Sequence, residues 1–149
     1  MKPGVADHAH AISGLILRYA ERIDAGDLDG LAALFDQAVL RTEGFPDLRR
    51  GRDEVRALYA QMVRLYDGRP STQHITTKIR VEVSPDEGTA EAWSKYTVFQ
   101  ARPELPLQAI ISGRYHDTFS RDDQGWHFTE RVISIDLVGD LSQHLKLAL

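Results

Sequence analysis

Two residues of this chain suit proton transfer: an aspartate at the end of a helical pattern and a histidine at the start of a strand pattern. Asp24 lies in RYAERIDAGDLDGLAALF, residues 18–35, and His74 in TQHITTKIRVEVS, residues 72–84. An imidazole with a reference pKa of about 6.5 exchanges protons near neutral pH. A carboxylate within reach would fix its tautomer and make it a better base. Spacing alone leaves each residue two readings. Asp24 is either a solvated carboxylate or one that looks into whatever its helix covers. His74 is either a hydrogen-bonded histidine at a sheet edge or a base. A carboxylate at a helix C-terminus meets the negative end of the macrodipole, a small penalty that tips toward a purpose. The other imidazoles rank lower. His8 and His10 are two apart, so they do not share a helix face and are expected at an exposed helix start. His116 and His127 lie in long strand patterns and are expected outward or at an interface. His144 sits in the tail and is set aside. No spacing converges three ligands, so no metal site is expected.

The elements that must position these groups follow from periodicity. Ile12, Leu15, Ile16, Tyr19 and Ile23 recur at three- and four-residue steps, giving one apolar stripe over a helix at about residues 8–25. Asp24 falls at the edge of that stripe. Asp7 is a candidate cap. Gly26 permits the helix to stop, and Asp27 can cap a second helix over residues 28–35. A short strand is expected at residues 39–42, then a polar loop to residue 52. A third helix is predicted over residues 52–66, capped by Asp53, with Val55, Leu58, Tyr59, Met62, Val63 and Tyr66 on one stripe.

Strand follows strand after that. In residues 72–84, Ile75, Thr77, Ile79, Val81 and Val83 alternate with His74, Thr76, Lys78, Arg80 and Glu82. A turn at residues 85–88 returns the chain as a hairpin over residues 89–101. Residues 107–120 and 126–137 make two more long strands, and residues 140–149 form a tail that is a candidate short helix. The pattern is segregated α+β: three N-terminal helices packed on a curved mixed sheet, with a conical cavity at one open end. Tyr19, Tyr59, Phe99, Ile111 and Tyr115 are the expected pocket walls, and Tyr115 is a candidate donor to a developing oxyanion. Apolar residues on both faces of several strands call for a second copy as cover, in a homo-oligomer (dimer or trimer).

Composition narrows the function classes. The 149 residues fit a single domain, 1–149, with residues 1–7 as a lead-in. A formal charge of −4 argues against nucleic acid or an anionic membrane as the main partner. No cysteine is present, which excludes disulfides, thiolate catalysis and zinc–thiolate sites and fits a cytoplasmic location. No membrane-spanning run or signal peptide is seen. There is no phosphate loop, nucleotide fingerprint or G-x-S-x-G, so kinases, dinucleotide oxidoreductases and the usual serine hydrolases are set aside.

The helix–turn–helix stretch of residues 18–35, Gln73-His74 opening a long strand, and the segments GRYHDTF and GWHF together resemble the SnoaL-like branch of the NTF2-like superfamily. That group includes scytalone dehydratase, SnoaL-type polyketide cyclases and ketosteroid isomerase. The resemblance covers nearly the whole chain and implies a cone-shaped α+β barrel. The fold hosts many functions. Matched residue by residue to the scytalone dehydratase pattern, the helix-end Asp falls on Asp24 and the strand His on His74, which implies an acid/base pair. The rest departs: the second catalytic His would fall near Phe99, the substrate-orienting Asn near Tyr115, and the two water-holding tyrosines near Gly44 and Ile23. The resemblance thus implies a cofactor-independent lyase or isomerase, with no metal, acting on a small apolar or aromatic hydroxy or carbonyl compound. A non-catalytic ligand-binding or oligomerisation domain is the alternative.

Overall fold

A computed structural model describes residues 2–147. Helix α1 spans Val5–Asp24, α2 Leu28–Ala33 and α3 Gly51–Met62. The strands are β1 (Val39–Thr42), β2 (Leu48–Arg50), β3 (Thr72–Val83), β4 (Thr89–Arg102), β5 (Leu105–Asp122) and β6 (Gly125–Val138). They form one sheet in the order β2-β1-β6-β5-β4-β3. Strand β1 runs parallel to β6 and every other pairing is antiparallel, so the sheet is mixed. The helices cover its inner face. Ile12, Ile16, Tyr19 and Ile23 of α1 bury against Ala92, Val98, Ile110, Phe119 and Phe128 of the sheet. This is the α+β fold expected from the periodicity.

Several boundaries differ, each for a local reason. Helix α1 begins three residues early, after Gly4. Asp7 does not cap by preceding the helix; its carboxylate reaches back to accept from the Gly4 N–H at 2.9 Å. His8 is therefore inside the helix and buried, where its Nδ1 accepts from Trp126 Nε1 at 3.0 Å. Asp27 does cap α2, accepting from Gly30 N at 2.8 Å. Helix α3 stops at Met62, short of Tyr66, and Glu54 rather than Asp53 meets its first turn, accepting from Arg50 N at 3.2 Å. The expected polar loop holds β2, which pairs with β1 as a short edge. Residues 140–147 of the tail form a turn rather than a helix, with Leu145 bridging to Val63; residues 148–149 of the expected tail lie outside the described residues.

Strand β3 departs most usefully from strict alternation. Its register with β4 shifts between Thr77 and Arg80, and Lys78 takes a left-handed φ of 54°. One extra residue is absorbed there, as in a β-bulge. Before the bulge His74 and Thr76 turn inward and Ile75 is exposed; after it Ile79, Val81 and Val83 turn inward. The expected opposition of His74 to the Ile/Val set is thus corrected. The bulge lets one strand send a histidine and, further on, three aliphatic side chains to the same face.

Candidate functional site

Asp24 is the last residue of α1, at the edge of the buried stripe. The chain then turns through Gly26, whose φ is 73°. A Cβ on Gly26 would stand 1.7 Å from the Gly68 carbonyl oxygen, so only glycine lets this turn meet the loop that leads into β3. That close approach delivers Asp24 to the first residues of β3. Its Oδ1 meets His74 Nδ1 at 2.6 Å and accepts from Thr72 Oγ1 at 2.8 Å, while Oδ2 accepts from the His74 backbone N–H at 2.8 Å. Three partners hold the carboxylate in one orientation. Burial pushes the Asp24 carboxyl up, but the hydrogen bonds and charge interaction with His74, with help from Thr72, outweigh it and leave the pKa below the ordinary value. The carboxylate therefore stays ionised and occupies Nδ1, which leaves His74 Nε2 for a ligand.

His74 opens onto a cavity of about 290 Å³ between the helices and the inner sheet face. Tyr19, Tyr59, Ile111 and Tyr115 line it, together with Ile23, Val98, Ile133 and Leu141. Phe99 does not. It follows Val98 on β4, where successive side chains alternate faces, and Val98 supplies the inner wall. The hydroxyls of Tyr19 and Tyr59 hydrogen-bond each other, and burial holds the Tyr19, Tyr59 and Tyr115 phenols above their ordinary pKa. They stay protonated at neutral pH, so the walls offer O–H groups but no phenolate. A second concavity by the β3–β4 turn, larger at about 470 Å³ but more open to solvent, is lined by Glu82, Ser84, Thr118 and Thr129 and includes no histidine.

Two features of this region were not anticipated. His144, set aside on sequence, lines the same cavity, with its ring centroid 6.4 Å from that of His74. It arrives there because the tail is pinned by backbone: His144 O accepts from Arg64 N, Lys146 N donates to Met62 O, and Gln143 O accepts from Tyr66 Oη and Gln100 Nε2. Burial, reinforced by the nearby His74, lowers the His144 pKa to about 4. The available signal was a histidine within the apolar spacing of Leu141, Leu145 and Leu147. The second feature is a fully buried ion pair beneath the tyrosines. Arg131 Nε and Nη2 donate to the two Asp117 oxygens at 2.8 and 3.0 Å, and the guanidinium lies 3.7 Å from the Tyr115 ring centroid and 4.4 Å from that of Tyr19. Asp117 shares its strand face with Tyr115 and Phe119, so a charge amid an apolar alternation marked it. The remaining histidines stay outside the cavity: His116 pairs with Glu91 at 2.8 Å on the outer face and His127 is half-buried. Among the described residues no cluster of three His, Cys, Asp or Glu side chains is arranged to hold a metal.

Comparisons with known proteins agree with this architecture. Residues 5–132 match the family described as the SnoaL-like domain. An NTF2-like protein of cystatin-like fold from Novosphingobium aromaticivorans superposes with a TM-score of 0.73 at 23% identity, over 88% of this chain and 83% of that one. A Mycobacterium tuberculosis protein of unknown function gives 0.71 at 25% identity, over 91% and 78%. A second N. aromaticivorans protein, provisionally assigned as a scytalone dehydratase, gives 0.68 at 23% identity, over 88% and 85%. No curated protein sequence matches the chain.

Proposed function

The chain belongs to the SnoaL-like domain family, and from that premise we propose that it is a cofactor-independent lyase or isomerase acting on a small, mostly apolar hydroxy or carbonyl compound. The observation that carries the proposal is the contact of Asp24 with His74 Nδ1 at the wall of an aromatic-lined cavity. His74 Nε2 takes a proton from carbon next to a carbonyl and returns it to carbon or to a departing hydroxyl. Asp24 stabilises the imidazolium that forms in between. The apolar walls keep water from competing and strengthen the Asp24–His74 interaction. A domain that only binds or assembles would have no need to hold a carboxylate with three hydrogen bonds beside an imidazole facing a cavity. Its proposed macromolecular partner is a second copy of itself on the outer sheet face.

The test is proton exchange. Apolar ketones and β-hydroxyketones in D2O, followed by proton NMR, will lose their α-proton signals faster with the protein than without it. Replacing His74 with Ala will slow that exchange by roughly 10²–10⁴-fold, the usual worth of a positioned acid/base. Equal rates for wild type and His74→Ala on every compound the protein accelerates would refute the reading.

A further inference from the structure

Proton transfer at His74 leaves one requirement unmet. Removing a proton next to a carbonyl drives negative charge onto the carbonyl oxygen, and a donor must meet it there. Among the phenols, Tyr19 and Tyr59 share a hydrogen bond that uses one of their two protons, Tyr96 Oη donates to the Ser134 carbonyl at 3.1 Å, and Tyr115, the donor expected from sequence, lines the cavity stacked between Tyr96 and the Arg131 guanidinium. His144 is different. It lines the cavity beside His74, its ring crossing that of His74 at 66°, and its Nδ1 is buried with no partner among the described residues. A buried orphan is tolerated better as an acceptor than as an N–H. The proton therefore sits on Nε2, the nitrogen left for a ligand. The groups that face this ring are His74, Asp24 and apolar side chains; the Asp24 carboxylate favours a cation there, and burial together with His74 outweighs it.

Building on His74 as the base, we propose that His144 donates Nε2–H to the carbonyl oxygen of the substrate whose α-proton His74 removes, so that the substrate class is an enolisable ketone or aldehyde. In that step the α C–H bond breaks and its proton goes to His74 Nε2. The C–H electron pair becomes the enolate C=C bond, and the carbonyl π pair moves onto oxygen, where the His144 N–H meets it. Reprotonation at another carbon gives an isomer; loss of a β-hydroxyl with the returning proton gives water and an enone. A neutral imidazole polarises a carbonyl in this way without having to give up a proton of its own, the role known for the electrophilic histidine of triosephosphate isomerase. The separation of the two rings suits one carbonyl: its oxygen on one imidazole and its α-carbon over the other.

The experiment uses 2-tetralone as substrate probe and 2-naphthol, an aromatic enol of the same skeleton, as binding probe. Wild type, His74→Ala, His144→Leu and His144→Gln are compared at pH 7. The expected result is that His144→Leu lowers the maximal exchange rate of 2-tetralone about 10²–10³-fold, as loss of one oxyanion donor does. It will weaken 2-naphthol binding roughly tenfold or more, while His144→Gln, which keeps an N–H, recovers part of both. In wild type, ¹⁵N-resolved NMR will find His144 neutral with the proton on Nε2, and that signal will move downfield when 2-naphthol is bound. If His144→Leu exchanges and binds like wild type while His74→Ala does not, the role of His144 is wrong and that of His74 stands. A wild type that neither exchanges 2-tetralone nor binds 2-naphthol overturns both. If His144→Leu is unfolded, the NMR measurement decides: a protonated His144, or an Nε2–H signal that 2-naphthol leaves in place, overturns the proposal.

Discussion

At the scale of the residue, two imidazoles share one cavity in different surroundings. His74 has a carboxylate held against Nδ1; His144 has burial and a neighbouring imidazole, which favour its neutral form. This difference has a thermodynamic signature. The folded-state pKa of His144 is about 4, below the ordinary 6.5, so the unfolded chain binds the extra proton more readily. The contribution of His144 to stability is complete above about pH 6.5 and is lost as the pH falls toward 4. Urea titrations of wild type and His144→Gln will therefore diverge across that window, with wild type losing ~3 kcal/mol relative to the variant. Parallel pH profiles would show that His144 titrates normally. The chemistry of Asp24 and His74 was visible in the sequence as residue types; for His144 the apolar spacing of the tail marked only burial, and the tail-to-core hydrogen bonds that bring it to the cavity leave no pattern in the sequence.

At the scale of the element, strands β3, β5 and β6 each carry a residue that breaks their pattern for a reason. Asp117 and Arg131 are direct cross-strand partners in β5 and β6, both fully buried. Replacing Arg131 with Met strands a carboxylate in the core and will cost about 3–5 kcal/mol. The double change Asp117→Leu with Arg131→Met will cost markedly less, because no charge is left unpaired; equal losses by chemical denaturation would refute this. In β3, Lys78 holds a left-handed φ that suits glycine. Lys78→Gly will be neutral or stabilise by up to about 1 kcal/mol, and Lys78→Val will destabilise by about 1–2 kcal/mol, since a β-branched residue fits that region worst. Thermal melts of the two variants separate them. The helices, the hairpin and the antiparallel strands were legible because 3.6- and 2-residue periods write themselves into composition. The bulge was not: a strand with one surplus residue has the same letters as a regular one, and only pairing with β4 reveals the slip. Strand β2, three residues long beside Pro46, was too short to carry a period.

At the scale of the whole molecule, the inner sheet face is filled by helices and cavity while the outer face stays open. Ile75, Thr97, Ser112 and Leu137 stand in register across β3, β4, β5 and β6, with Ile75 and Leu137 exposed and the Thr97 and Ser112 hydroxyls hydrogen-bonded at 2.9 Å. A second copy seated there would bury both ends of that row. Sedimentation will find a homo-oligomer, and Leu137→Glu will shift it toward monomer without unfolding it; a monomeric wild type refutes the expectation. The bulge at Lys78 bears on how this chain is compared with others. Upstream of it, inward positions fall on even numbers such as 74 and 76; downstream they fall on odd ones, 79, 81 and 83. Any relative that lacks the surplus residue keeps a single parity throughout. Aligned without a gap, it would have its wall residues matched to this chain's solvent face on one side of the bulge. Family searches for the His74 position should therefore anchor the two halves of β3 independently, and a histidine apparently missing by one place should be sought next door before it is counted as lost.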